Sequence, residues 1–319
     1  MNATSIAATP VANKEIKSLP ASVLRTLLYY DLFRYPLTAE EIKSHCSELP
    51  CSLPLVQEAL NELCGEDLIF RYEKFYSVQN SAELFIRRIK GNEAATRVMS
   101  IVNKRSRLIA NFPFVRSVCL SGSLSKNYFD ETTDVDFFII TEPNRLWVCR
   151  TFLILFKKLF LLNSKKYFCV NYFIDSDNLV IPDKNIFTST ELITLKPVYN
   201  YKLYEKFFTA NQWVKAFFPN SNQQEQNGIP ELNNNWIRIK CEKLLSGKTG
   251  EWLDQFFMMR TLQQWKKKFG WQRSDEFELN MRTRRNVSKH HPQGFQFQLL
   301  KKYEERILSF EAEHQITLR

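Results

Sequence analysis

The stretch LSGSLSKNYFDETTDVDFF at 120–138 decides how the rest of the chain is read. A Gly-Ser pair, Gly122 and Ser123, ends one apolar run, RSVCL, and an Asp-Val-Asp triplet, Asp134, Val135 and Asp136, opens a second, DVDFFII. The chain holds only 8 glycines in 319 residues, well below average usage, so a glycine at a strand end does not reflect loose composition. Side chains alternate along a strand, so Asp134 and Asp136 point the same way and Val135 points into the core. Their carboxylates then lie roughly 6–7 Å apart and repel by roughly 2–3 kcal/mol at an effective dielectric near 20. A hard divalent cation removes that conflict, and Mg²⁺ suits carboxylates together with phosphate oxygens. Gly122 lets the backbone pass close to a ligand, while the amide and hydroxyl of Ser123 can donate to a phosphate. The bland alternative is an exposed strand start preceded by an ordinary Gly-Ser turn.

The pattern Gly-Ser, about ten residues, then Asp-x-Asp resembles the signature of the DNA polymerase beta-type nucleotidyltransferases, particularly their minimal and aminoglycoside-modifying branches. Ser125 and Lys126 fall where many relatives have Ala-Arg, and Thr133 stands where many have Ser. The resemblance implies that Gly122 and Ser123, with Ser125 and Lys126, hold a nucleoside triphosphate. It also implies that Asp134 and Asp136 hold Mg²⁺, as one ion or two. Relatives often carry a third carboxylate on a later strand, where it acts as base toward the attacking hydroxyl. The corresponding strand here is KYFCVNYFI, and its interior polar residue is Asn171. Asn171 is either the position of the missing carboxylate or a buried amide satisfied by backbone. Asp175, just past the strand, or Glu191, in the following helix, could substitute.

The remaining composition sets bounds. Hydrophobic residues make up 44% of the chain, with 26 Phe, 12 Tyr and 6 Trp, which argues for a folded multi-domain protein with a substantial core. Seven cysteines form no CxxC pair and no set with histidines at ligand spacing. They read as reduced core thiols of a cytoplasmic protein. Residues 1–20 lack the basic and continuous apolar parts of a signal peptide and read as a disordered tail. The run FLILFKKLFLL at 152–162 is too short to span a bilayer. It reads as a core helix whose lysines reach solvent, and no membrane partner is expected.

Residues 21–80 show three helical stretches and a hairpin turning near Glu73, with Pro36 stopping the first helix and Thr38 and Glu41 forming a capping box for the second. The order resembles a winged helix-turn-helix. Such folds read DNA through the third helix, but here that helix carries Glu58, Glu62, Glu66 and Asp67 and no Lys or Arg. Phosphate would repel it, so a protein contact is expected in place of DNA.

Residues 81–220 read as the nucleotidyltransferase core, an α+β unit with a small mixed sheet and helices on one side. Its strands are expected near 115–121, 134–141, 167–174 and 178–182, with a helix from Ser189. Residues 83–111 read as a strongly basic helix, suited to a polyanionic donor or to RNA. Residues 221–319 read as a helical domain packed around Trp236, Trp252, Trp265 and Trp271. SGKTG at 246–250 lacks the glycine five positions before Gly247 that a phosphate loop needs. His290 and His291 have no partner at metal spacing and read as surface or capping residues. Two functions from different classes remain. One is a Mg²⁺-dependent transferase moving a nucleoside monophosphate from an NTP to a small molecule, a protein or an RNA. The other is a nucleotide-binding protein with a degenerate core.

Overall fold

The computed structural model describes residues 14–319 apart from 50, 224, 226, 227, 233, 234 and 293. The first part of the chain runs β1 (Lys14–Ile16), α1 (Ser18–Asp31), β2 (Leu37–Thr38), α2 (Ala39–His45), α3 (Leu53–Gly65), β3 (Phe70–Tyr72) and β4 (Phe75–Ser77). Then come α4 (Ala82–Ala110), β5 (Val115–Ser121), α5 (Gly122–Ser125), β6 (Asp136–Thr141), α6 (Leu146–Phe160), β7 (Cys169–Asp175), α7 (Ile186–Ile193), β8 (Lys196–Tyr199) and α8 (Tyr201–Ala210). The chain closes with α9 (Trp236–Leu244), α10 (Lys248–Phe269), α11 (Ser274–Asn280), β9 (Thr283–Arg284), β10 (Val287–Lys289), α12 (Phe295–His314) and β11 (Ile316–Leu318). The fold is mixed α and β, and no helix of the described residues is long and apolar enough to cross a membrane.

Of the described residues, 14–82 and 301–319 form one compact unit and 83–300 a second. In the first, Thr38 Oγ1 accepts from Glu41 N at 3.3 Å while Glu41 Oε2 accepts from Thr38 N at 2.9 Å, the expected capping box. Helix α1 ends at Asp31, before Pro36, and β3 and β4 join through a two-residue turn with Glu73 at φ 53°. These strands and β2 make an antiparallel sheet in the order β2-β4-β3. The expected disordered tail of residues 1–20 is corrected where the structure describes it, from residue 14 on. There β1 pairs in parallel with β11, Lys14 opposite Ile316, and α1 begins at Ser18. The rest of that expected tail, residues 1–13, lies outside the described residues. The chain's last residues return to this unit through side chains: Tyr303 Oη donates to Arg25 O at 3.0 Å and Arg306 Nε to Asp31 at 2.9 Å. Asp31 is nearly buried, at 5% side-chain exposure. Asp31→Ala would leave Arg306 with only the more exposed Glu313 at 3.6 Å and remove the acceptor of Gln79 Nε2, and is expected to cost about 2 kcal/mol of this unit's stability in urea unfolding.

The second unit is built on a six-stranded mixed sheet in the order β8-β5-β6-β7-β10-β9. Strands β6 and β7 are parallel, joined by α6, and the remaining pairs are antiparallel. Side-chain alternation along β6 divides the core in two. Val135, Phe137 and Ile139 pack with Val102, Trp147 and Leu153 from α4 and α6, and with Trp265 of α10. Phe138 and Ile140 pack on the other face with Leu192, Tyr204 and Phe207 from α7 and α8. Helices thus cover both faces, where one was expected.

Three further expectations change. No strand forms at 178–182, because buried Asn211 takes its backbone instead, accepting from Ile181 N and donating to Leu179 O, both at 2.8 Å. The next strand is β8, an edge strand that tolerates Pro197. Residues 221–300 also differ from a separate helical domain, since the β9-β10 hairpin extends the sheet, Val287 opposite Ile174 of β7. Of the four tryptophans expected in that core only Trp265 is buried; Trp236, Trp252 and Trp271 are 65%, 62% and 79% exposed. In α6, Lys157 is buried and Lys158 exposed, so only one of the two lysines reaches solvent freely.

Candidate active site

Strand β5 ends with Ser121 directly opposite Asp136, the first residue of β6, so the register brings the Gly-Ser turn against the Asp-Val-Asp triplet. Gly122 follows at φ 66°, and a Cβ there would lie 2.6 Å from Asp136 Oδ2. Glycine is therefore required twice over, for the left-handed backbone and for the carboxylate against it. Within the turn, Ser125 Oγ donates to Gly122 O at 2.8 Å and Lys126 Nζ to the same carbonyl at 3.1 Å. Both candidate nucleotide-binding side chains thus hold the turn in shape, while Ser123 accepts through its carbonyl from Lys126 N and Tyr128 N.

The ten-residue connection is fixed by two residues that sequence reading missed. Asp130 Oδ1 accepts from Thr132 N at 2.9 Å and Thr133 N at 3.0 Å, and Tyr128 Oη donates to Oδ2 at 2.7 Å. Lys166 Nζ donates to the carbonyls of Asp130, Glu131 and Thr133 at 2.7, 2.6 and 2.8 Å. Burial works against the Asp130 charge, but the bonds from Tyr128 and Thr132 outweigh it and hold the carboxyl down to about 2. A depressed acid stabilises the fold above its ordinary pKa and loses that contribution as pH falls through the depressed one. Asp130→Asn is therefore expected to cost about 1–2 kcal/mol at pH 7, with the difference from wild type closing between pH 4 and pH 2 in acid-unfolding curves.

Val135 is buried, its amide donating to Lys166 O at 2.9 Å, and Asp134 and Asp136 flank it. Asp136 is half-buried, and burial raises its carboxyl to about 6, with the charges of Asp134 and Glu191 adding to the rise. A hydrogen bond with Cys169 and the charge of Lys126 pull the other way.

Asn171 sits at a bulge: Phe137 is opposite Val170 and Phe138 opposite Tyr172, leaving Asn171 unmatched in β7. Its amide donates to Asp136 Oδ1 at 3.3 Å and to Cys169 Sγ at 2.9 Å. The side chain in the third-carboxylate position therefore supports Asp136 and carries no charge. Asp175 is at the other end of β7, opposite Thr141, where Oδ1 accepts from Asp177 N and Asn178 N at 3.2 and 2.9 Å. Five residues of strand separate it from the Asp136 end, which removes it as a substitute. Glu191 does reach the site. Helix α7, capped by Asn185 through Thr188 N at 2.9 Å, presents it to Lys126 Nζ at 2.7 Å and to the field of Asp136.

Asp136, Asn171, Gly122 and Glu191 open into one pocket of about 150 Å³. Phe138, Tyr172, Phe187, Leu192, Phe207 and Phe295 give it apolar walls. Its far side carries Asp183 and Lys289, two polar residues the sequence reading did not single out. Arg282 grips Asp183 with both terminal nitrogens, at 2.8 and 3.1 Å, and Lys289 Nζ reaches it at 3.2 Å. Burial disfavours both buried charges of the Asp183–Lys289 pair: Lys289 is lowered, while Arg282 and Lys289 more than reverse the effect on Asp183, which also ends below its usual range. His291 lies at the pocket's exposed edge, whereas His290 packs 4.9 Å from the Trp265 ring.

Among the described residues, no group of three or more His, Cys, Asp and Glu is arranged to hold a metal ion. Asp136 lines the pocket and Asp134, outside its lining, adds its charge to Asp136; such carboxylates suit a Mg²⁺ that takes one or two of them and completes its shell with water and substrate phosphate oxygens. They do not fit a cage made by the protein alone. No family model, curated protein or solved structure matches the chain.

Proposed function

We propose that the chain is a nucleotidyltransferase of the DNA polymerase beta type, transferring a nucleoside monophosphate from an NTP to an acceptor hydroxyl. The observation that carries this reading is the fit of Gly122 against Asp136, a glycine at φ 66° with no room for a Cβ. It supports a turn shaped to bring backbone amides and a phosphate beside paired carboxylates. On this reading Asp134 and Asp136 hold Mg²⁺, one ion or two, which neutralises the triphosphate when bound.

The chain's own residues supply the rest. The turn from Gly122 to Ser123 binds phosphate, the ties from Ser125 and Lys126 keep it in shape, and Asn171 orients Asp136. The acceptor oxygen bonds to the α-phosphorus, the α–β phosphoanhydride breaks, and pyrophosphate leaves. Glu191, once freed from Lys126, takes the acceptor's proton. Most of the rate then comes from positioning and electrostatics.

The module at 21–80, three helices and a hairpin, supports the winged-helix reading. Glu58, Glu62, Glu66 and Asp67 of and after α3 are exposed, which favours a protein partner over DNA. One observation favours a second function, nucleotide binding without turnover: the amide of Asn171 stands where a third carboxylate is expected. The two part in one assay. Incubation with α-³²P-labelled NTPs, Mg²⁺ and cell extract should label an acceptor, and the Asp134→Asn, Asp136→Asn double variant should not. NTP binding without label above that control would select the second function.

A further inference from the structure

The pocket beside Asp136 has two chemically different ends. At one lie Gly122, Asp136 and Asn171, and at the other Asp183 and Lys289, with aromatic and aliphatic walls between them. Such a lining, apolar with a few polar groups at fixed points, is the usual form of a small-molecule site. Its size bears on the occupant. A volume of about 150 Å³ suits a ring with short substituents.

At the far end the buried cations Arg282 and Lys289 share one carboxylate, Asp183, at 2.8 and 3.2 Å; Glu278 lies 3.5 Å from Arg282 and pairs at 2.7 Å with the exposed Arg284. The Lys289 ammonium has three donors. Asp183 takes one and Gln296 Oε1 a second at 3.0 Å, leaving the third for a ligand in the pocket that Lys289 lines.

Strand register gives the separation of the ends. Lys289 is opposite Tyr172, which is opposite Phe138, two residues along β6 from Asp136. Two strand spacings and two residues put the Cα atoms of Asp136 and Lys289 roughly 12 Å apart. Their side chains, both facing the pocket, shorten the gap to the order of one substituted ring.

We propose that this pocket is the acceptor site, and that the acceptor is a small molecule with an apolar ring-sized body, a hydroxyl directed to Asp136 and a carboxylate or similar anion held by Lys289. The assignment of the hydroxyl end rests on the nucleotidyltransferase reading; the anion end does not. The test is titration calorimetry with three probes of one shape: 3-(4-hydroxyphenyl)propionate, the neutral 4-ethylphenol and the cationic tyramine. The acid should bind at least tenfold more tightly than the phenol, and the amine most weakly. Lys289→Met should bring the acid down to the level of the phenol and leave phenol binding unchanged, which also shows that the variant is folded. Equal binding of all three, or heat from none at millimolar concentration, would overturn the proposal. Binding of the acid without its labelling from α-³²P-NTP would keep the anionic pocket and reject the transferase reading. Labelling of other acceptors without binding of the acid would reject the pocket assignment alone.

Discussion

Asp136→Asn is expected to abolish nucleotidyl transfer and, in the metal-free protein, to make the fold more stable. On the proposed function, the loss follows from removing a charge that would hold the triphosphate's counterion, worth several kcal/mol or roughly a thousandfold in rate. The gain follows from the raised carboxyl. Burial, with Asp134 and Glu191 nearby, puts Asp136 at about 6 in the folded chain, against an ordinary value near 4. Between those values the folded state holds a proton that the unfolded state has lost, so stability falls as pH rises through this window. At pH 7.5 the wild type bears the full cost, about 2–3 kcal/mol, and the Asn variant bears none of it. The Asn side chain also keeps an oxygen to accept from Asn171, which donates to Asp136 Oδ1 in the wild type. Thermal unfolding without divalent cations should therefore place the variant above wild type by roughly 5 °C or more at pH 7.5. The two should converge near pH 4. A variant that is inactive and also less stable at pH 7.5 would mean that Asp136 is a structural residue.

Gly122→Ala should damage both the fold and the site. The methyl group meets Asp136 Oδ2 at 2.6 Å, and the backbone at φ 66° disfavours any side chain. Strain of this kind costs about 1–3 kcal/mol, and relieving it by moving Asp136 destroys the site. Urea unfolding should show the stability loss, and NTP affinity should fall with it. The clash is with a named carboxylate, so the two changes should couple. Asp136→Ala placed on Gly122→Ala should recover the steric part of the loss, giving a double-mutant coupling of about 1 kcal/mol or more. Strict additivity would show that the backbone angle alone makes glycine necessary.

The parts of the fold visible in the sequence were those encoded locally. The Thr38–Glu41 capping box and the Glu73 turn are spelled in neighbouring residues, and the alternation Asp134, Val135, Asp136 shows which side chain enters the core. What stayed hidden depends on partners far along the chain. The hairpin of β9 and β10 has strands of two and three residues in a basic stretch, and only the open edge of β7 makes it a sheet. The pairing of β1 with β11 joins the two ends of the described chain. In the site, Asp175 and Glu191 were equal candidates on sequence distance. Strand length separated them, because β7 carries Asp175 to its far end while α7 turns Glu191 back toward Lys126. The bulge at Asn171 and the Lys166 staple leave no periodic trace, being single residues that act through geometry. Asp183 and Lys289 are 106 positions apart and meet only in the folded unit.

Electron paramagnetic resonance of Mn²⁺ as a stand-in for Mg²⁺, titrated in the presence of a non-hydrolysable NTP analogue, tests most directly whether the paired aspartates and the glycine turn form a metal–nucleotide site. Wild type should bind one or two Mn²⁺ per chain only when the analogue is present, with the spectrum altered by the analogue's phosphates. The Asp134→Asn, Asp136→Asn double variant should bind none. Equal Mn²⁺ binding by both proteins, or binding by wild type that ignores the nucleotide, would contradict the account.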